Sequence, residues 1–446
     1  MLFFKNLFFT QRFYAALIAI IFCMLIGFGV PIMFAIAKAL LFLLLLLLVL
    51  DLLLLYASNT DQNSLQMSRK TSNKLSNGDE NPVFIRVKNN FRFAVKLTIV
   101  DEVPIQFQLR DFGVKTYLKP REEKQFTYHL RPVTRGEYFF GNINAFVSNV
   151  IGLVERRMVE SAESMVPVYP AFLQLRKYEI MAISNRLADV GIKKIRKVGH
   201  NMEFDQIKEY VVGDDYRSVN WKATARKNQL MVNQYQEEKS QQIYSIIDKG
   251  RIMKMPFEGM TLLDYAINAS LVLANIAIFK QDKAGLITFS QKVNSFISAN
   301  SNRLQMHKIL ETLYRQETDF KESDFEKVYI KVKREVNQRS LLVLYTNFET
   351  ISALERQLPY LKLLAKAHLL VVIFFENTEM TLLAAQKAKN TESIYTKTIA
   401  EQFIHEKRLI VNELSKYGIH AVLTKPQTLT VNTINKYLEL KARGLV

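Results

Sequence analysis

The chain has 446 residues, 49% of them hydrophobic, with 60 lysines and arginines against 42 acidic residues and a formal net charge of +18. That length supports two or three domains, each with a core of its own. A single cysteine, Cys23, excludes a disulfide framework, and the basic balance points to anionic partners: lipid headgroups, an acidic protein or nucleic acid.

Residues 13–56 are almost wholly apolar, and two runs, 13–30 and 32–56, each suit one membrane-spanning helix. Gly27, Gly29 and Pro31 punctuate them, so residues 1–57 are expected to form a transmembrane α-hairpin. Lys5 and Arg12 precede the first span, and Arg69, Lys70 and Lys74 follow the second. The positive-inside rule then places both ends, and everything after Tyr56, on the cytoplasmic side of a bacterial inner membrane. A cleavable signal is the rival, with Ala35-Ile36-Ala37 as its cleavage site, but the apolar run continues well beyond it. Lys38 and Asp51 are ionisable groups at membrane depth. Either they have a role there or they lie near opposite interfaces, Lys38 extending its ammonium outward. A membrane anchor favours lipid and protein partners over nucleic acid.

Residues 58–80 are polar and read as a linker. From 81 to 170, short alternating runs such as Val83-Phe84-Ile85-Arg86-Val87 and Gln125-Phe126-Thr127-Tyr128-His129-Leu130 predict a small antiparallel β-sandwich of about seven strands. Residues 171–241 form a charged connector. Over 242–446, buried strands at 243–247, 284–289, 341–345, 369–375 and 421–423 alternate with amphipathic helices, including 262–279 and 304–314. That alternation predicts a multi-domain protein ending in an α/β, doubly wound, mostly parallel sheet covered on both faces. The sequence contains no Walker-type loop and no Gly-x-Gly-x-x-Gly, so nucleotide chemistry has no anchor in it.

The connector concentrates acids, bases and the only tryptophan: Gly199, His200, Glu203, Phe204, Asp205, Glu209, Tyr210, Gly213, Asp214, Asp215, Arg217, Trp221, Ala225 and Arg226. Its physical reading is a clamp between domains. Gly213 permits a turn, Asp214 or Asp215 caps a short helix, Trp221 buries onto a neighbouring domain, and Arg217 or Arg226 pairs with Glu203 or Glu209. An enzymatic reading takes His200, Glu203 and Asp205 as metal ligands or acid–base groups, although the spacing matches no standard zinc helix.

The segment resembles the signature of domain-of-unknown-function family fifty-eight, through Glu203-Phe204, Glu209-Tyr210, Gly213-Asp214, Arg217, Trp221 and Ala225-Arg226. Lys208 and Thr224 replace the family's arginine and serine. The resemblance implies a von Willebrand factor A-like C-terminal domain and association with a MoxR-type AAA ATPase in a chaperone-like assembly system. Metal-binding A domains end their first strand in Asp-x-Ser-x-Ser, add a threonine from a second loop, and take an aspartate after a later strand, because magnesium requires hard oxygen ligands. This chain has Asp248-Lys249-Gly250-Arg251-Ile252 at the first position and Tyr345-Thr346-Asn347 at the last. Both serines and the late aspartate are replaced, and Lys249 and Arg251 bring cations where the metal would lie. We therefore expect a degenerate site with no cofactor and no tight magnesium, Asp248 either marking a ligand site or pairing locally. Three functions follow: a membrane-anchored, non-enzymatic adaptor or scaffold, a hydrolase using Asp248 with His200 or Glu203, and a basic membrane-surface or nucleic-acid binder.

Overall fold

A computed structural model describes residues 6–29, 31–57, 64–109, 112–183, 202–212, 214–237, 240–318, 320–387 and 390–445. The chain divides into two units, Met1–Tyr169 and Pro170–Val446.

In the first unit a short strand, β1 (Leu7–Phe9), precedes two apolar helices, α1 (Gln11–Gly27) and α2 (Pro31–Ala57). At 1.5 Å per residue these are about 25 and 40 Å long. They pack on each other, and Gly27 permits the approach, since a Cβ there would stand 2.7 Å from the Phe34 amide nitrogen. Many large side chains remain uncovered on them, among them Ile18, Phe22, Leu25, Ile32, Phe42 and Leu46.

The strands that follow are β2 (Leu65–Lys70), β3 (Leu75–Ser76), β4 (Asn81–Asn89), β5 (Val95–Asp101), β6 (Val114–Leu118), β7 (Glu123–Leu130), β8 (Gly136–Phe140), β9 (Ile143–Ser148), β10 (Val154–Glu160) and β11 (Ser164–Tyr169). They form a five-stranded sheet β1-β10-β9-β5-β6 and two three-stranded sheets, β2-β4-β7 and β3-β11-β8, in which only β3 and β11 run parallel. Alternation puts Ile85 and Val87 of β4 and Leu97 and Ile99 of β5 into one shared core with Val147 and Val154. Residues 65–70 and 75–76, read from their polarity as linker, are strands of these sheets. Their polar residues occupy outward positions or make specific buried bonds.

Arg69 is one of the latter and is not a solvated charge flanking a membrane span. Its guanidinium is buried, 2.5 Å from Asp101 Oδ1, and it donates to the Gly141 carbonyl at 2.8 Å, while the Tyr128 hydroxyl donates to Asp101 Oδ2 at 2.5 Å. Desolvation pushes the Asp101 carboxyl upward despite the Arg69 charge.

Asp51 is also buried. Its Oδ2 accepts the backbone N–H groups of Leu153 at 2.7 Å and Val154 at 3.0 Å, tying α2 to the start of β10. Arg156 of β10 donates to the Leu55 carbonyl at 3.2 Å and lies 4.2 Å from the Tyr56 ring centroid. The other helix starts at the same place: Thr10, just ahead of α1, donates its amide to the Leu153 carbonyl at 3.0 Å.

The second unit opens with α3 (Phe172–Ile183) and a two-stranded antiparallel ribbon, β12 (Met202–Glu209) and β13 (Met231–Glu237), with a short helix α4 (Trp221–Lys227) between them. Then come β14 (Gln242–Asp248), the small ribbon β15 (Pro256–Phe257) and β16 (Met260–Thr261), α5 (Leu262–Phe279), β17 (Lys283–Phe289), β18 (Val293–Asn300), α6 (Arg303–Tyr314) and α7 (Phe325–Glu335). The chain continues with β19 (Leu341–Tyr345), α8 (Ile351–Ala367), β20 (Leu369–Phe375), α9 (Thr378–Ala385), α10 (Thr391–Lys416), β21 (His420–Thr424) and α11 (Leu429–Ala442).

Six of these strands make one sheet in the order β18-β17-β14-β19-β20-β21, parallel throughout except for β18 at one edge. One face carries α5, α6 and α11, and the other α7, α8 and α10, so the strands are near-continuous apolar runs, as the sequence pattern requires. Helix α5 is apolar and long enough to cross a bilayer, as α2 is, but it is packed within this core.

Candidate functional site

The strand order reverses direction between β14 and β19, where doubly wound sheets open a crevice at their carboxyl ends. Asp248 is the last residue of β14 and is 3% exposed. Its Oδ1 accepts the Gly250 N–H at 2.8 Å and the Ser323 hydroxyl, and its Oδ2 accepts the Thr346 hydroxyl at 2.7 Å. Donors from three segments thus converge on one carboxylate. Gly250 is needed there, because a Cβ at that position would collide with Ser323 Oγ. Arg251 and Arg356 line a recess of about 70 Å³ beside Asp248. Among the described residues, no three His, Cys, Asp or Glu side chains converge.

Asp248 therefore bonds to hydroxyls and its own loop. The Lys249 ammonium is buried and donates to the Glu317 carbonyl at 3.2 Å, while the Arg251 amide donates to the Lys321 carbonyl at 3.0 Å. Asn347, after β19, accepts from the Lys407 ammonium at 2.7 Å, and Lys407 also donates to the Phe348 carbonyl at 2.5 Å. Burial pulls the Lys407 ammonium down to about 8, against a small opposing pull from Glu349. Two buried lysines thus hold two of the loops at this end of the sheet.

Beside these loops lies a cleft of about 640 Å³. Met255, Phe257, Phe375, Met380 and Phe403 supply apolar surface, and Asn347, Glu349, Glu376, Lys407 and Arg408 supply polar groups. Its size and mixture suit a ligand or a partner's side chains.

Ser323, Lys407 and the cleft are not evident to sequence reading. Lys407 does leave a signal: it shares the buried face of α10 with Ala400, Ile410 and Leu414, where an apolar residue is expected. Ser323 leaves none beyond its place just before α7.

Among the described residues, the later part of the connector forms the ribbon, its end and α4. Asp215 accepts the Arg217 amide at 2.9 Å and caps a 3-10 turn, and Asn220 caps α4 by accepting the Ala223 amide at 3.0 Å. Trp221, expected to be buried, is 72% exposed. Arg217 and Arg226 form no ion pair with Glu209; Lys208 pairs with Asp214 at 3.0 Å instead, across the tight turn. Tyr210 and Ala225 sit on the ribbon and on α4. His200 and Gly213 lie outside the described residues, as do the side chains of Glu203, Phe204 and Asp205, so the proposed convergence of His200 or Glu203 on Asp248 falls there too.

Fold and site define a multi-domain protein with antiparallel sheets in its first unit and, in its second, an α/β sheet carrying a hydrogen-bonded acid at the switch point. Residues 206–401, from the ribbon into the first half of α10, match the family described as protein of unknown function DUF58. The Bacillus subtilis (strain 168) protein named Uncharacterized protein YeaD is 27% identical over 253 residues, 55% of this chain and 60% of that relative, so the match spans less than two thirds of the relative's length. Among solved structures, the conserved hypothetical protein BatB from Bacteroides thetaiotaomicron aligns with a TM-score of 0.30 at 12% identity, over 46% of this chain and all of that one. Proximal thread matrix protein 1 from the mussel byssus aligns with a TM-score of 0.26 at 11% identity, over 46% of this chain and 48% of that one. Similarity at these scores adds nothing to the fold described above.

Proposed function

We propose that this protein is a membrane-anchored adaptor, whose α/β unit engages a protein partner through the carboxyl end of its sheet. The observation that carries the reading is the 640 Å³ cleft at that end, apolar in much of its lining and adjacent to a carboxylate already bonded on both oxygens. An acid held in this way fixes loops; a hydrolytic role needs it free to reach a substrate or a water. The two apolar helices serve as a transmembrane hairpin, supported by their exposed side chains and by the start of α1 and the end of α2 both resting at Leu153. Lys5 and Arg12 support a cytoplasmic placement of the remainder. The sheet order with one antiparallel edge strand supports the von Willebrand factor A-like reading, and the family resemblance supports a MoxR-type AAA ATPase as the partner.

Crosslinking and pull-down from native membranes tests this, comparing the intact chain with Phe403→Glu, which places a charge in the cleft at a partly exposed position. Recovery of an AAA ATPase with the intact chain and its loss with the variant is the expected result. Absence of such an ATPase from both samples refutes the partner assignment, and equal recovery from both moves the contact away from the cleft.

A further inference from the structure

The ribbon end between β12 and β13 exposes an unusual amount of apolar surface. Val212 is 95% exposed, Trp221 72%, Tyr216 71% and Val211 61%, and Leu230 joins them. Interspersed with them, Arg217, Lys222, Arg226 and Lys227 form no ion pair among the described residues. The backbone beneath is well bonded. Tyr210 donates to the Leu230 carbonyl at 2.8 Å, Asn220 to the Met231 carbonyl at 2.8 Å, Asp214 to the Val211 carbonyl at 2.9 Å, and the Met231 amide to Thr224 Oγ1 at 3.0 Å. The apolar side chains are therefore held in place by a built turn.

We propose that this ribbon end is a second lipid-contact site, which seats Trp221, Tyr216, Val211 and Val212 in the interfacial layer of an anionic bilayer. Tryptophan and tyrosine combine an apolar ring with one polar atom, which suits the headgroup level. Lysines and arginines that form no ion pair among the described residues suit acidic headgroups. A protein interface is the poorer fit, because lysine is depleted from the cores of such interfaces whereas here Lys222 adjoins Trp221. Internal pairing of the turn's backbone lowers the cost of bringing it next to acyl chains. This inference rests on the membrane-anchored reading for its bilayer, but on the ribbon alone for its contact.

Trp221 is the only tryptophan in the chain, so intrinsic emission reports this site directly. The 446-residue chain is reconstituted into vesicles of phosphatidylcholine alone or with phosphatidylglycerol, with and without bromine on the acyl chains. Expected are a blue-shifted emission and quenching by the brominated chains in the anionic vesicles, both reduced by salt, with Lys222→Gln and Arg226→Gln each weakening the contact equilibrium about fivefold. Emission typical of indole in water, unquenched by brominated lipid, overturns the proposal. So does a blue shift without bromine quenching that grows with protein concentration, which means self-association, and so does quenching by an added oligonucleotide alone. Flotation with the vesicles in high salt separately reports the α1–α2 anchor, so its failure and failure of the ribbon contact are distinct results.

Discussion

Ser323 Oγ occupies the space into which residue 250 would extend a Cβ, so the hydroxyl keeps this place only while residue 250 is glycine. In place of the serine that a metal-binding sequence pattern has at position 250, this chain supplies a hydroxyl to Asp248 from a distant loop. Gly250→Ala is expected to destabilise the chain by about 1–3 kcal/mol through overpacking. Ser323→Ala in the same chain relieves the clash, so the double variant should lose less than the two single losses added together. Thermal denaturation of the full chain in detergent measures all three, and strict additivity would show that Ser323 is not what excludes the side chain.

Thr346→Val keeps the shape of the side chain but removes the donor to Asp248 Oδ2, leaving a buried carboxylate oxygen short of a partner. A loss of about 1–3 kcal/mol is expected. Asp248→Asn should cost a similar amount, and in the Asp248→Asn background Thr346→Val should cost less than it does alone, since the bond it removes is already compromised. Equal costs in the two backgrounds count against a direct Asp248–Thr346 coupling.

The burial of Lys407 predicts a dependence on pH. Below about 8 both the folded and the unfolded chain hold the proton, and the cost of the buried charge is fully present. Between about 8 and the ordinary value of 10.5 the folded chain releases the proton first, so stability rises with pH across that window. The rise from this group is at most about 3 kcal/mol, at 1.36 kcal/mol per pKa unit over that window. Lys407→Met lacks the titrating group. The stability of the natural chain relative to Lys407→Met should therefore climb from pH 8 to 10.5, and a flat difference would falsify the assignment.

Asp51 ties α2 to the start of β10 through two backbone amides. Asp51→Leu preserves the apolar character of the helix yet leaves both amides without their acceptor, with an expected cost of about 2–5 kcal/mol. Limited proteolysis should then cut near residues 149–156 faster than it cuts the natural chain there. An unchanged digestion pattern would mean that this attachment does not hold the segment.

The legible parts of the fold were those with long apolar runs. The strands at 243–247 and 369–375 and the helix at 262–279 are near-continuous apolar runs, buried along most of their length, and run length together with alternation along the chain tells strand from helix. Polar strands were less legible. Residues 65–70 read as linker because Ser68, Arg69 and Lys70 carry no apolar pattern, and it takes the distant Asp101 and Gly141 to explain a buried arginine among them. At the site, position brought Asp248 to notice, since it ends an apolar strand; its partner Ser323 lies 75 residues away and leaves no local mark. Trp221 shows the opposite error: a large aromatic side chain suggests burial, but whether it is covered depends on which way α4 faces.

By itself the sequence determined the two apolar helices, the alternation of strand and helix after residue 242, and the excess of positive charge. Those properties depend on neighbours a few residues apart and survive in any arrangement of the segments. Only the tertiary structure decided that Asp51 and Arg69 are buried bonding groups, that Lys407 sits beneath a cleft, and that Trp221 faces outward. Each of those depends on contacts between residues far apart in the chain, whose free energies are set by burial and by the partner each polar atom finds.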